Sequence, residues 1–384
     1  MARHGVLKFQ VSLQELRKNE SDSWQMPVNY RCNQIGSCRT RNKTTLLMKR
    51  SMFIHPVLAA TAAIFGIASQ SALAQTTTVF SDTFGNGSTV QTTAGTPTAN
   101  STTYEWFQQG GTPTTPTIAS GDLHLFGRTT ASSISEVQAL FTTTPVTLTT
   151  VGQFVNLTIV FNDTQNIFPA GSASTLNVGL FNSGGSAPVT GVRLDASGSG
   201  TGGAVGWNGY VGRIGGTGGA STSIFTRAPQ GAGITNPNQS QDALFNGASG
   251  SSTFNNPTGT TVPGSGSGAF AAGLTAGSTY TLSYTITLTA AGTIEVDNNL
   301  YSGGVVDSGN LLASETGSTS TSPVTSFDAF ALGWRFNSTS AANSVDVGSI
   351  NVSQGVAAVP EPSSFAFAGL GLAGLLLRFR RSRG

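Results

Sequence analysis

Between residues 280 and 289 the side chains alternate without a break. Tyr280, Leu282, Tyr284, Ile286 and Leu288 fall on one side, and Thr281, Ser283, Thr285, Thr287 and Thr289 on the other. A period of two is that of a half-buried β-strand, and threonine on the outward side suits a pleated, solvated surface. The same alternation runs through Val155, Leu157, Ile159 and Phe161, through Leu176, Val178 and Leu180, and through Phe330, Leu332, Trp334 and Phe336. Ile294 and Val296 resume it after Ala290-Ala291-Gly292, which reads as a hairpin turn. No window between residues 75 and 355 has a helical period. Strands with one polar face must cover the other, so the pattern predicts an all-β body over 75–355, an antiparallel β-sandwich. Two Gly/Ser/Thr/Asn stretches, 183–222 and 246–278, interrupt it. They are longer than ordinary hairpin loops and read as long surface loops, or as loops hiding short strands.

Two apolar runs fall outside this pattern, one near each end. Met48-Lys49-Arg50 is followed by an apolar run over 52–68 and then by Ser69-Gln70-Ser71-Ala72-Leu73-Ala74-Gln75. A basic start, a short apolar stretch and small residues at Ala72 and Ala74 form a secretory signal peptide over 48–74, cut before Gln75. The alternative, an anchor left uncut, suits a run this short less well. Export through the Sec machinery follows. Residues 1–47 precede this signal and fit neither it nor the body. They are expected to be a mis-annotated or disordered extension, with Met48 as the start.

At the other end, Pro360-Glu361-Pro362 precedes the apolar run 365–377 and the cluster Arg378, Arg380, Arg381 and Arg383. As a helix the run would extend about 20 Å, short of a bilayer core of about 30 Å. The arginines would stay on the cytoplasmic side. Such a tail holds an exported body transiently at the inner membrane. The two prolines keep the tripeptide between them extended and open to an enzyme.

Tripeptide, apolar helix and arginine cluster, in that order over 359–384, resemble the PEP-CTERM sorting signal of Gram-negative bacteria. The resemblance implies processing by an exosortase-type membrane enzyme, delivery to the cell surface or beyond, and a host that makes exopolysaccharide. The body resembles known folds only at its ends. Phe80-Ser81-Asp82-Thr83-Phe84 and the segment 344–352 resemble the first and last strands of carbohydrate-binding jelly rolls, which lie side by side. This favours a jelly-roll or concanavalin-like sandwich.

Composition narrows the chemistry. Between residues 75 and 355 there are five arginines, no lysine and thirteen acids, a formal charge of −8. Such a body repels nucleic acid. Cys32 and Cys38 both precede the signal, so no disulfide staples the body. His124 is its only histidine, and no serine sits in a nucleophile-elbow motif. A zinc site, a hydrolytic triad and a cofactor are therefore not expected. Gly198-x-Gly200-x-x-Gly203 lacks a strand before it and a helix after it, and reads as loop.

Paired carboxylates would suit glycoside hydrolysis. Glu105 stands beside Trp106, and Glu295 and Asp297 share one face of a strand, which reads as the solvated face. Trp207 and Tyr210 sit in the glycine-rich stretch 183–222. Exposed, they would stack on sugar rings; folded back, they would pack on the sandwich. The expectation is a non-catalytic surface or matrix protein associated with exopolysaccharide, with a secreted carbohydrate-active enzyme as the alternative.

Overall fold

The computed structural model describes residues 75–90, 96–109, 114–126, 133–164, 168, 174–185, 204–215, 223–229, 243–244, 260–263, 273–336 and 344–357. The extension expected over 1–47, the signal expected over 48–74 with Ala72 and Ala74, and the tail with Pro360, Glu361, Pro362 and the helix expected over 365–377 lie outside them. Among the described residues, no helix is long and apolar enough to cross a membrane.

The chain begins with β1 (Gln75–Asp82), β2 (Thr89–Val90), β3 (Thr103–Gln109), β4 (Thr117–Ala119), β5 (Asp122–Phe126) and β6 (Ser133–Leu140). It continues with β7 (Val146–Thr147), β8 (Gln153–Asn162), β9 (Thr175–Asn182), β10 (Asn208–Gly215), β11 (Ser223–Arg227) and β12 (Thr260–Thr261). It ends with β13 (Thr279–Ala290), β14 (Thr293–Ser302), β15 (Leu311–Thr319), β16 (Ser326–Phe327), β17 (Ala329–Phe336) and β18 (Ser344–Val356).

The first sheet has the order β15-β14-β13-β8-β18-β5-β4, with β1 also on β18. The second has the order β12-β11-β10-β9-β17-β6-β3-β2, and β16 and β7 form a small ribbon. Apart from the short β2–β3 contact, the pairings are antiparallel. The chain passes repeatedly from one sheet to the other, so this is a two-sheet antiparallel β-sandwich.

The alternation fixes the packing. Leu282 pairs with Ile159 on β8 and with Leu300 on β14, and Ile286 with Val155 and Val296. All six are fully buried. Opposite them, Val178, Leu332, Trp334 and Val137 of the second sheet join the same core. Phe80 of β1 meets Phe330 of β17 across the gap, ring centroids 6.2 Å apart. The hairpin expected after residue 288 is β13–β14, and the expected core positions Leu157, Tyr284 and Trp334 are buried.

β18 organises the first sheet. One edge pairs with β8 over almost its full length. The other is shared by β5, against Ser344–Val347, and β1, against Ile350–Val356. The first and last strands of the body are therefore neighbours. At the end of β1 the buried Asp82 carboxylate accepts from the Phe84 amide (2.7 Å), the Ser88 hydroxyl (2.6 Å) and the Tyr104 hydroxyl (2.7 Å). This knot ties the first sheet to β3 of the second.

The glycine-rich stretches depart from the loop reading. The first contains β10 and the second contains β12. β10 gives no alternating signal because nearly all of it is buried, on both faces. Gly212 lies against the opposite sheet. A Cβ there would come within 2.6 Å of the Asn298 amide and 2.7 Å of the Tyr284 ring.

Candidate functional site

The outward face of the second sheet departs furthest from the sequence expectation, because it is covered rather than solvated. Ile134, Phe181, Val211, Phe225, Ala329 and Ala331 form a second apolar cluster on it, joined by Ala204, Trp207, Ala243 and Leu244 from the covering segments. Trp207 is fully buried, its ring centroid 5.6 Å from that of Phe181. Its carbonyl accepts from the Arg227 guanidinium, which lies 6.0 Å from the Phe181 ring.

Tyr210 points the other way, into the main core. Its ring lies 6.4 Å from that of Phe327, and its hydroxyl accepts from the Val324 amide at 2.9 Å. The stacking expectation for Trp207 and Tyr210 is therefore corrected. Both rings are buried, and they lie on opposite faces of the sheet, so they cannot form one sugar platform. The glycines around Trp207 let a short segment fold back, which removes the ring from water.

Two carboxylates lie on neighbouring strands of this covered face. In the β3–β6 register Glu105 stands opposite Gln138, with Glu136 two positions along β6. Diagonal positions of this kind lie about 7–8 Å apart at Cα. Glu136 is fully buried. It accepts from the amides of Ala243 (2.8 Å) and Leu244 (3.2 Å) and from the Gln138 side chain (2.8 Å). Burial raises its pKa to about 7, against the lowering effect of those bonds and of Arg227. Glu105 is also buried, and its Oε1 has no hydrogen-bond partner among the described residues. Burial alone pushes it up to about 8. Sequence reading found Glu105 but missed Glu136. The two are 31 positions apart, and only strand pairing brings them together.

A second set of polar groups lies between the sheets. Tyr284, Asn298 and Glu315 are adjacent in register across β13, β14 and β15, and all are buried. The Tyr284 hydroxyl, both amide atoms of Asn298 and both Glu315 oxygens have no hydrogen-bond partner among the described residues. Burial pushes Glu315 up to about 8, against the pull of Arg213.

The remaining candidates lie on the outward face of the first sheet. Glu295 and Asp297 face solvent as expected, and Asp297 accepts from Thr316 at 2.5 Å. His124 Nδ1 is 2.7 Å from Asp346 on the neighbouring strand. Burial lowers the His124 pKa, but the bond to and charge of Asp346, the Ala119 carbonyl and the Asp122 charge together outweigh this, and the net direction is upward. Among the described residues, no group of three or more His, Cys, Asp or Glu is placed to hold a metal.

A family model described as the PEP-CTERM protein-sorting motif matches residues 358–381. No curated protein matches the chain. Several solved structures align with the chain at low identity and low TM-score. The carbohydrate recognition domain of Emp47p aligns at 10% identity and a TM-score of 0.33, over 74% of this chain and 97% of that one. An endo-1,3-beta-glucanase from Streptomyces sioyaensis aligns at 12% and 0.33, over 73% and 96%. Peanut lectin aligns at 10% and 0.27, over 65% and 97%. Likenesses this distant identify neither a ligand nor an activity for this chain. The sorting motif is specific: the chain carries a PEP-CTERM signal, the mark of an exported, cell-surface protein handled by an exosortase-type enzyme.

Proposed function

We propose that the body is a non-catalytic component of the extracellular polysaccharide matrix, delivered through the Sec machinery and held briefly at the inner membrane by its tail. The observation that supports contact with polysaccharide is the outward face of the first sheet. Across β13, β8 and β18 it presents neutral hydroxyls and amides, including Asn156, Thr158, Thr285, Thr287, Asn351 and Ser353, all partly accessible. Several are already oriented by one another. Asn156 donates to Ser283 (2.9 Å) and Thr285 (2.7 Å) and accepts from Thr158 (2.7 Å). A broad, flat array of hydroxyl and amide groups exchanges hydrogen bonds with the hydroxyls of an extended glycan. Each contact is weak, and retention comes from many copies on one surface.

The test is retention of the processed, secreted protein on exopolysaccharide purified from its own host. Thr158→Glu/Thr287→Glu/Asn351→Glu, which places three charges on the array, is expected to reduce retention about ten-fold or more, equivalent to about 1.4 kcal/mol. Equal retention of variant and parent would remove this face from consideration. No retention of either would leave a coat protein without glycan contact.

The alternative reading, a glycan hydrolase, draws on Glu105 and Glu136, whose raised pKa values suit a proton donor. Against it, Glu136 spends both oxygens on N–H donors, two of them from a covering segment. That arrangement fixes a cover rather than opening a cleft. Release of reducing sugar from the host polysaccharide, abolished by Glu105→Gln, would reverse this choice.

A further inference from the structure

The body's two chain ends leave from one place. Gln75, the first residue of β1, pairs with Val356 near the end of β18, and Val356 pairs with Gln153 of β8. The amide of Ala357 then donates to the Gly152 carbonyl at 2.7 Å, which holds the chain down at its point of exit. Gly355 makes this closeness possible. A Cβ there would lie 2.3 Å from the Gln75 carbonyl and 2.8 Å from the Phe154 ring. Beside the exit is a cleft of about 300 Å³ lined by Thr77, Thr147, Leu148, Gln153, Phe154 and Gln354, among others. The β13–β14 turn and the segment before β16 complete this end, through bonds from Gly152 to the Leu288 carbonyl and from Leu148 to the Thr325 carbonyl.

The surface chemistry here differs from the rest of an acidic body. Residues 75–79, 142–154, 288–293, 319–325 and 353–357 contain no Asp, Glu, Lys, Arg or His. Val151 and Val356 are 42% and 45% exposed. The opposite end carries exposed Asp307 and the Asp346–His124 pair.

Pro360 follows Ala357 by three residues, and three extended residues span at most about 11 Å. Any enzyme that takes Pro360-Glu361-Pro362 into its site therefore comes within that distance of the folded end. We propose that this uncharged end, with Val151, Ala291 and Val356, is the surface by which the body docks on the outer face of the membrane enzyme that processes the sorting motif. The proposal rests on the motif's being processed. A lipid surface fits less well, because anionic headgroups attract basic patches and this end has none among the described residues. A neutral, mildly apolar contact of small area suits a transient protein partner.

The test uses the full chain in its native host and follows the tail-bearing precursor by pulse-chase. Val151→Glu/Ala291→Glu/Val356→Glu is expected to lengthen precursor lifetime about five-fold or more, as when charge is placed in a transient contact. Val305→Glu/Val306→Glu, at the opposite end, is expected to leave it unchanged. Pro360→Ala/Glu361→Ala/Pro362→Ala supplies the unprocessed reference. If that variant matures normally, the sorting reading itself fails. If it is blocked while the exit-end variant matures at the parental rate, the docking surface is overturned. A spacer of about ten Gly/Ser residues after Ala357 frees the motif from the body. It is expected to restore maturation of the charged variant. Continued failure with the spacer would mark a folding defect and overturn the assignment.

Discussion

Leu282→Ala is expected to destabilise the secreted body by about 2–5 kcal/mol, and Ile286→Ala by a similar amount. Both side chains are fully buried in the middle of β13, each with an aliphatic residue directly opposite on β8 and on β14. Truncation removes apolar area from the core and leaves a cavity that a sheet paired on both sides cannot collapse to fill. Thr285→Ala, between them on the outward face, removes an acceptor for Asn156 and is expected to cost less than 1 kcal/mol. Denaturant midpoints of the three variants provide the check. Equal effects at positions 282 and 285 would contradict the assignment of faces.

The second large effect is on pH. Glu105 and Glu315 are raised to about 8 and Glu136 to about 7, in each case chiefly by burial. The folded body therefore holds protons from about pH 4.5 up to about 8 on Glu105 and Glu315 and up to about 7 on Glu136, where the unfolded chain has released them. The stabilisation is complete below the unfolded value and is lost as pH rises through 7 to 8. Each fully buried carboxyl stakes on the order of a few kcal/mol on staying protonated. His124, raised by Asp346, acts in the same direction. Thermal midpoints are expected to fall steadily from pH 5 to pH 8.5. Glu315→Gln, neutral at every pH, is expected to match the parent at pH 5 and to exceed it at pH 8.5. A midpoint that stays level from pH 5 to pH 8.5 would show that these carboxyls are ionised in the fold.

What the sequence disclosed followed from which faces meet water. β8 and β14, and β13 from Thr285 onward, have one face at least partly open to water, so hydrophobic and polar residues alternate and the strands, their hairpin and their core residues were legible; Thr281 and Ser283 keep the alternation although they are buried. The closing of β1 on β18 was legible from the flanking segments alone. β10 was not, because burial on both sides removes the polar half of the alternation. The same covering hid the fate of Trp207, whose local sequence fits an exposed ring and a buried one equally well. Glu136 gave no signal, since its neighbours on the covered face come from strands distant in sequence. The sorting signal was legible because it works as a linear tag, whose order of residues is its whole content.

The position of β18 also bears on how the protein leaves the cell. It is the last strand of the body to be made, yet it lies inside the first sheet, between β8 and the β1/β5 edge. Until Val356 has emerged, β8 has an open edge and β1 has no partner. The sandwich cannot close around a partial chain, and pairings of such long sequence separation form slowly. On the export route proposed above, a polypeptide threaded from its N-terminus lacks the strand that completes its first sheet until almost all of it has crossed.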